Sequence, residues 1–319
     1  MTDIDLKPEE FAEAATDVIA AAHSSADFKT STQTLADAGL CGVCAAEEAG
    51  GLALGIEFAL PLVAEAGRQR LQWPLLETIL VAKALGDSPL AAELASGAKV
   101  ATWALQGSLA EGFAGHARHA SVSDWVLVSS QDGKAALVDI SSIQLNLDDA
   151  LDPDYPQAWM SLDGAKVLAE IDSERFAAFQ RDGQILIASL LNGAAEGALS
   201  TTASYMSTRV QFGRPLASKQ AVRHILARMR LVQEASSAGI LRLLRQDEYG
   251  TVRAAQPVLA NAIASSAFVL EKAIQLHGGM GFTWELPLHY SLREIRKFDA
   301  AFGSGELSGQ VGREFIQSV

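Results

Sequence analysis

The stretch YMSTRVQFGRPLASKQAVRHILARM, residues 205–229, decides how the rest of the chain is read. It joins two long Ala/Leu-rich segments whose apolar residues recur at three and four residue steps, the mark of packed helices. Gly213 and Pro215 break the helical pattern and reverse the chain, which puts Arg209 and Phe212 on the outside of the turn. The guanidinium of Arg209 can fork onto two phosphate oxygens, and Phe212 can pack an adenine face. Gln220 opens the next helix, where uncapped N–H groups attract anions. On these residues alone a solvated surface arginine is the commoner outcome, and a nucleotide site is the sharper alternative.

Working outward, residues 174–209 (ERFAAFQRDGQILIASLLNGAAEGALSTTASYMSTR) read as one long helix. Its small residues Gly193, Ala194, Ala195 and Gly197 let another helix approach closely. PVLANAIASSAFVLEKAIQLHG and LPLHYSLREIRKFDAAF supply two more helices after the one that starts near Gln220. Long helices with short connections imply an antiparallel four-helix bundle over residues 173–319. Within AIQLHGGMGF, residues 273–282, Gly278 and Gly279 stop a helix as C-cap glycines do and leave the backbone open to a ligand. This GGMG is not a dinucleotide fingerprint, because no strand precedes it and the spacing is wrong.

Residues 1–99 also read as helical, with segments at Pro8 to His23, Thr30 to Leu40 (N-capped by Ser31 or Thr32), Ile56 to Gly67, Pro74 to Leu85 and Ser88 to Ser96. Between residues 100 and 172 the character changes. ATWALQG, ASVSDWVLVSS, AALVDI and AWMSLDGAKV are short, rich in Val, Ile, Trp and Ser, and read as strands of a small β domain. In GSLAEGFAGHARHA, the residues His116, Arg118 and His119 read as an exposed polar strand, and histidines on opposite faces of a strand cannot share a metal ion. The acidic string LDDALDPDY, from Leu147 to Tyr155, lacks the Gly-centred spacing of a calcium loop and reads as a solvated turn. Cys41 and Cys44 form a lone CxxC without further zinc ligands nearby, and read as small residues where a helix ends.

With 319 residues, 49% of them hydrophobic, the chain can bury a large core. A net charge of -13 disfavours nucleic acid and anionic membrane as partners. No uninterrupted apolar run reaches the roughly 18 residues of a spanning segment, and the acidic start MTDIDLKPEEF is unlike a secretory signal, so the expected location is the cytoplasm.

These strings resemble the acyl-CoA dehydrogenase family. The family's YxxxRxQFGxPxxxxQxxxxxxAxM is met by Tyr205, Arg209, Gln211, Phe212, Gly213, Pro215, Gln220, Ala227 and Met229; its QxxGGxGY/F is met by Gln275, Gly278, Gly279 and Phe282. LADAGLCGVCAAEEAGG is similar to the N-terminal string LxxxGxxGxxxPEExGG, with Ala46 in the place of Pro. The resemblance implies a mostly α fold with a small β domain: an N-terminal helical domain, a reduced middle β domain and the C-terminal bundle. It also implies FAD as cofactor, gripped across a subunit interface by Arg209, Phe212, Gln220, Gln275, Gly278 and Gly279. The middle domain shows no TEPxxGSD-like loop of the kind that carries the flavin ring in this family.

The family removes a proton from Cα of an acyl-CoA with a glutamate while Cβ gives a hydride to the flavin. Its string RxAxxxxIYEGTxxI aligns with RKFDAAFGSGELSGQV, which places Gly303 where the glutamate belongs. Relatives that carry the base on the helix before RxQFG would place it near Arg181 to Gly183, where Asp182 is the only acid. Shortened, base-lacking members form one half of heteromeric enzymes, notably in bacterial steroid side-chain breakdown. The resemblance therefore implies a partner subunit in an α2β2 assembly, a paralogous catalytic chain, an acyl-CoA substrate and an electron-transfer flavoprotein as acceptor. A complete homo-oligomeric enzyme using Glu306 or Asp182 as base, and a flavin-free scaffold, are the two alternatives.

Overall fold

A computed structural model describes residues 7–148, 156–246 and 250–317. Five helices come first: α1 (Pro8–His23), α2 (Phe28–Asp37), α3 (Ile56–Gln69), α4 (Leu75–Leu85) and α5 (Pro89–Ala95). The second helix is capped by Asp27, whose carboxylate accepts from the Thr30 N–H at 2.9 Å, and not by Ser31 or Thr32. Those two hydroxyls turn inward. Ser31 donates to the Ala22 carbonyl at 2.8 Å, and Thr32 accepts from the Trp73 indole N–H at 2.8 Å. Cys41 and Cys44 are free and buried, and burial pushes both thiols up to about 12, which suits packing and not redox chemistry.

Seven strands follow: β1 (Ala101–Ser108), β2 (Phe113–Ala117), β3 (Trp125–Ser129), β4 (Ala135–Asp139), β5 (Gln144–Asp148), β6 (Gln157–Ser161) and β7 (Val167–Ile171). They form one sheet in the order β5-β6-β2-β1-β3-β4-β7, antiparallel except for the β1–β3 pair. The expectation of an exposed polar strand at His116 to His119 fails. β2 lies inside the sheet with Ala114 and Ala117 fully buried, and His116 Nδ1 meets the Gln157 Oε1 at 2.7 Å. Arg118 donates to Glu77 of α4 at 2.9 Å, with both side chains almost wholly buried, and His119 is buried too. These polar groups stay inside because each is paired. The acidic string ends β5 with Leu147 and Asp148, while its residues 149–155 lie outside the described residues.

After the sheet, α6 (Ser173–Thr208) runs without a break into a two-strand hairpin, β8 (Val210–Gln211) and β9 (Arg214–Pro215). Then come α7 (Gln220–Leu243), α8 (Gln256–His277), α9 (Leu288–Ala301) and α10 (Glu306–Gln317). The last helix lies beyond the four expected in the bundle. The chain divides into two compact units, one holding the described residues through Ala66 with Leu71–Leu186, the other Gly67–Arg70 with everything described from Ile187 on. In the second unit the end of α3 meets α6 backbone to backbone: a Cβ on Gly67 would lie 2.1 Å from the Leu190 carbonyl oxygen, and one on Gly197 would lie 2.8 Å from that of Arg68. The apolar α8 packs against α7, α9 and α10 and buries Leu259, Ala262, Val269, Leu270 and Ala273, as suits a core helix.

Candidate functional site

The segment from Arg209 to Pro215 is a tight hairpin. Val210 pairs with Pro215 and Gln211 with Arg214, which leaves Phe212 (φ 56°) and Gly213 (φ 74°) as the two turn residues. Two positive φ angles in sequence match the right-handed twist of the flanking strands. Glycine adopts this freely, but for Phe212 the conformation costs about 1–2 kcal/mol. Phe212 is nonetheless 90% exposed, with Lys219 Nζ 4.9 Å from its ring centroid. Arg209 and Gln220 are exposed as well, and Lys219, the cap residue of α7, offers no side-chain acceptor to the N–H groups of its first turn.

A second feature closes this end of the unit. Gly278 ends α8 with φ 61° and ψ -135°, and a Cβ on Gly278 or Gly279 would meet nothing. Gly281 differs, because a Cβ there would lie 2.4 Å from the Ile274 carbonyl oxygen; that glycine serves packing. Gln275 is exposed and its amide oxygen accepts from Lys272 at 2.8 Å. Tyr205, on the last turns of α6, stacks on His277 with centroids 4.4 Å apart and 15° between planes, and its hydroxyl donates to Met280 Sδ at 3.8 Å. The base of the hairpin and the glycine corner are thereby held together. His277 is buried, neither ring nitrogen has a hydrogen-bond partner, and burial lowers its pKa. No local pattern points to this stacking, which pairs residues far apart in the chain.

Gly303 sits between α9 and α10 as the first of three successive residues with positive φ: 86° there, 50° at Ser304 and 93° at Gly305. The turn is tied down by Ser304 N–H to the Asp299 carbonyl at 2.7 Å and Gly305 N–H to Asp299 Oδ1 at 3.1 Å. A Cβ on Gly303 would lie 2.9 Å from Glu306 Cβ, so any side chain at this left-handed position would be strained in the turn as it stands. Glu306 is exposed at the start of α10, where its carboxylate accepts from Arg313.

Asp182 lies in the first unit, buried, with Lys83 Nζ at 2.6 Å and Arg181 at 3.8 Å. The pair lines a cavity of about 290 Å³ together with Leu80, Gly86, Arg175 and Phe179. The neighbouring Gly183 has no room for a side chain. A Cβ there would fall 2.7 Å from Cζ3 of Trp103, whose indole packs edge-on against Phe179 at 4.9 Å. Trp103 was legible as a strand residue, but its position over Gly183 was not. Among the described residues no three His, Cys, Asp or Glu side chains converge as metal ligands.

The fold and the two strings define a class. Residues 179–315 match the family described as acyl-CoA dehydrogenase, C-terminal domain. The chain is 32% identical over 298 residues to acyl-CoA dehydrogenase FadE34 of Mycobacterium tuberculosis, a match that covers 88% of this chain and 40% of that protein. In fold it is similar to a structure described as the Tcur3481-Tcur3483 steroid ACAD G363A variant, with TM-score 0.84, 24% identity and 98% coverage of both chains. It is also similar to the ChsE4-ChsE5 complex from Mycobacterium tuberculosis, with TM-score 0.82, 21% identity and 97% coverage of both. This chain belongs to the acyl-CoA dehydrogenase family.

Proposed function

We propose that the chain is the non-catalytic subunit of a cytoplasmic, heteromeric, FAD-dependent acyl-CoA dehydrogenase that desaturates an acyl-CoA thioester between Cα and Cβ. Arg209, Phe212, Gln220, Gln275, Gly278 and Gly279 contribute to FAD held mainly by a paralogous catalytic chain, in an α2β2 complex. They fit such a ligand in kind. A fixed cation suits the pyrophosphate, an exposed ring suits the adenine, and a glycine corner with open space suits close approach to the backbone. Bound FAD would take the hydride that leaves Cβ, and an electron-transfer flavoprotein would relieve it of electrons.

One observation carries the reading: Arg209, Phe212, Gln220, Gln275, Gly278 and Gly279 are exposed, while the residue aligned with the family's glutamate is Gly303 and the stretch from Arg181 to Gly183 holds Asp182 as its one acid. Asp182 is committed to Lys83 and Glu306 to Arg313. The steroid type of the substrate is supported by the description of the relative that shares the fold. Co-expression with a glutamate-bearing paralogue from the same genome, followed by native mass and flavin content of the complex, tests the proposal. A stable complex whose FAD is lost when this chain is omitted is expected; a chain that purifies yellow and active by itself contradicts it.

A further inference from the structure

Arg209 and the hairpin it opens are tied to one residue of α6, Tyr205. The Arg209 N–H donates to the Tyr205 carbonyl at 2.9 Å, and the Arg209 carbonyl accepts from the Leu216 N–H at 2.9 Å, so both ends of the hairpin are anchored at the last turn of that helix. The glycine corner is fixed on its own side. Met280 lies in the 3-10 segment Gly278–Phe282, and its carbonyl accepts from both the N–H of Thr283 at 3.1 Å and its hydroxyl at 2.9 Å. Gly281 packs on the Ile274 backbone with no space for a Cβ. Hairpin and corner are thus two stiff pieces.

The side chain of Tyr205 joins them. Its ring lies on that of His277, the residue before Gly278, with centroids 4.4 Å apart, and its hydroxyl reaches Met280 Sδ. This joint is kept at a cost. His277 is 5% exposed and neither of its ring nitrogens is paired, whereas buried polar groups are ordinarily hydrogen-bonded. An apolar side chain would strand no N–H there. What the imidazole supplies is a flat partner for the phenol ring, at 15° between planes.

A fixed joint matters for a ligand that touches both pieces. Once one piece holds the ligand, contact with the other is intramolecular, and its worth depends on the span between the two being set in advance. We propose that Tyr205 is a positioning residue for FAD: by clamping the hairpin to the glycine corner it sets the span over which Arg209 and Gly278–Gly279 hold one dinucleotide together. This role rests on the nucleotide grip proposed above. Tyr205 acts through Arg209, to which its carbonyl is bonded, and through His277, which leads into Gly278.

Titration of FAD into the flavin-stripped complex, followed by quenching of flavin fluorescence, tests the assignment in wild type, Tyr205→Phe, Tyr205→Leu, His277→Leu, Arg209→Ala and the double variant Tyr205→Leu/Arg209→Ala. Tyr205→Leu and His277→Leu, which break the stack from either side, are each expected to weaken FAD binding at least about tenfold. Tyr205→Phe keeps the stack and is expected to stay within about threefold of wild type. The double variant is expected to bind within about threefold of Arg209→Ala alone, because a span has no value once one of its ends is gone. A residue that merely stabilises the bundle would instead add its full effect, so a lowered Tm in the leucine variants leaves the roles separable. Wild-type affinity in both leucine variants, or full additivity in the double variant, overturns the positioning role while loss of binding in Arg209→Ala leaves the grip standing. Wild-type affinity in Arg209→Ala overturns the grip, and the positioning role with it.

Discussion

The indole of Trp103 occupies the space into which a side chain on Gly183 would project, with Cζ3 only 2.7 Å from where the Cβ would stand. Alanine at this helix-interior position gains about 1 kcal/mol of propensity over glycine, but forcing a methyl group into a filled aromatic contact costs about 1–3 kcal/mol. The clash wins. Gly183→Ala is expected to lower the urea midpoint, and Gly183→Glu to lower it further without conferring turnover, as equilibrium unfolding and activity assays would show.

The Tyr205–His277 stack gives the bundle a pH dependence. Burial lowers the His277 pKa below its ordinary 6.5, so the folded state prefers the neutral ring. The unfolded chain then binds the proton more readily as pH falls through 6.5, so the stability contributed above that value is lost on acidification. His277→Phe keeps an aromatic partner for Tyr205 and removes the proton. Urea midpoints measured from pH 8 to pH 5 are expected to fall more for wild type than for the variant.

Arg209 and Gly279 are exposed, and a Cβ on Gly279 meets nothing. Arg209→Ala and Gly279→Ala are therefore expected to change the stability of the chain by no more than about 0.5 kcal/mol. In the assembled complex both are expected to lower FAD occupancy, read from flavin absorbance per protein. A flavin-free scaffold would show no change.

Glu306 pairs with Arg313 on an exposed face of α10, where such a pair contributes about 0–1 kcal/mol. Glu306→Gln is expected to leave turnover of the complex within about twofold of wild type, since 1.4 kcal/mol of barrier corresponds to tenfold in rate. Abolished turnover would identify Glu306 as the base and favour a complete enzyme.

Elements with long period were legible from residues alone: the α1 helix runs from Pro8 to His23, and the Pro74 and Ser88 starts mark α4 and α5. What escaped depended on neighbours. β5 is built from Gln-Leu-Asn-Leu-Asp, which becomes a strand by pairing in the sheet and not by propensity, and the strand through His116 was legible while its burial inside the sheet was not. α10 carries Gly309 and Gly312, which weaken a helical pattern. The site strings were legible because their turns need specific glycines. The stacking of Tyr205 on His277 and the filling of Gly183 by Trp103 were hidden, since both join residues distant in sequence.

In the proposed assembly this chain holds flavin for another chain's chemistry and has no base of its own. Anaerobic titration measures this directly: the acyl-CoA that bleaches flavin absorbance in the complex is added to the isolated chain supplied with FAD. No bleaching is expected from the chain alone, and full bleaching after the partner is added. Bleaching by the isolated chain would contradict it.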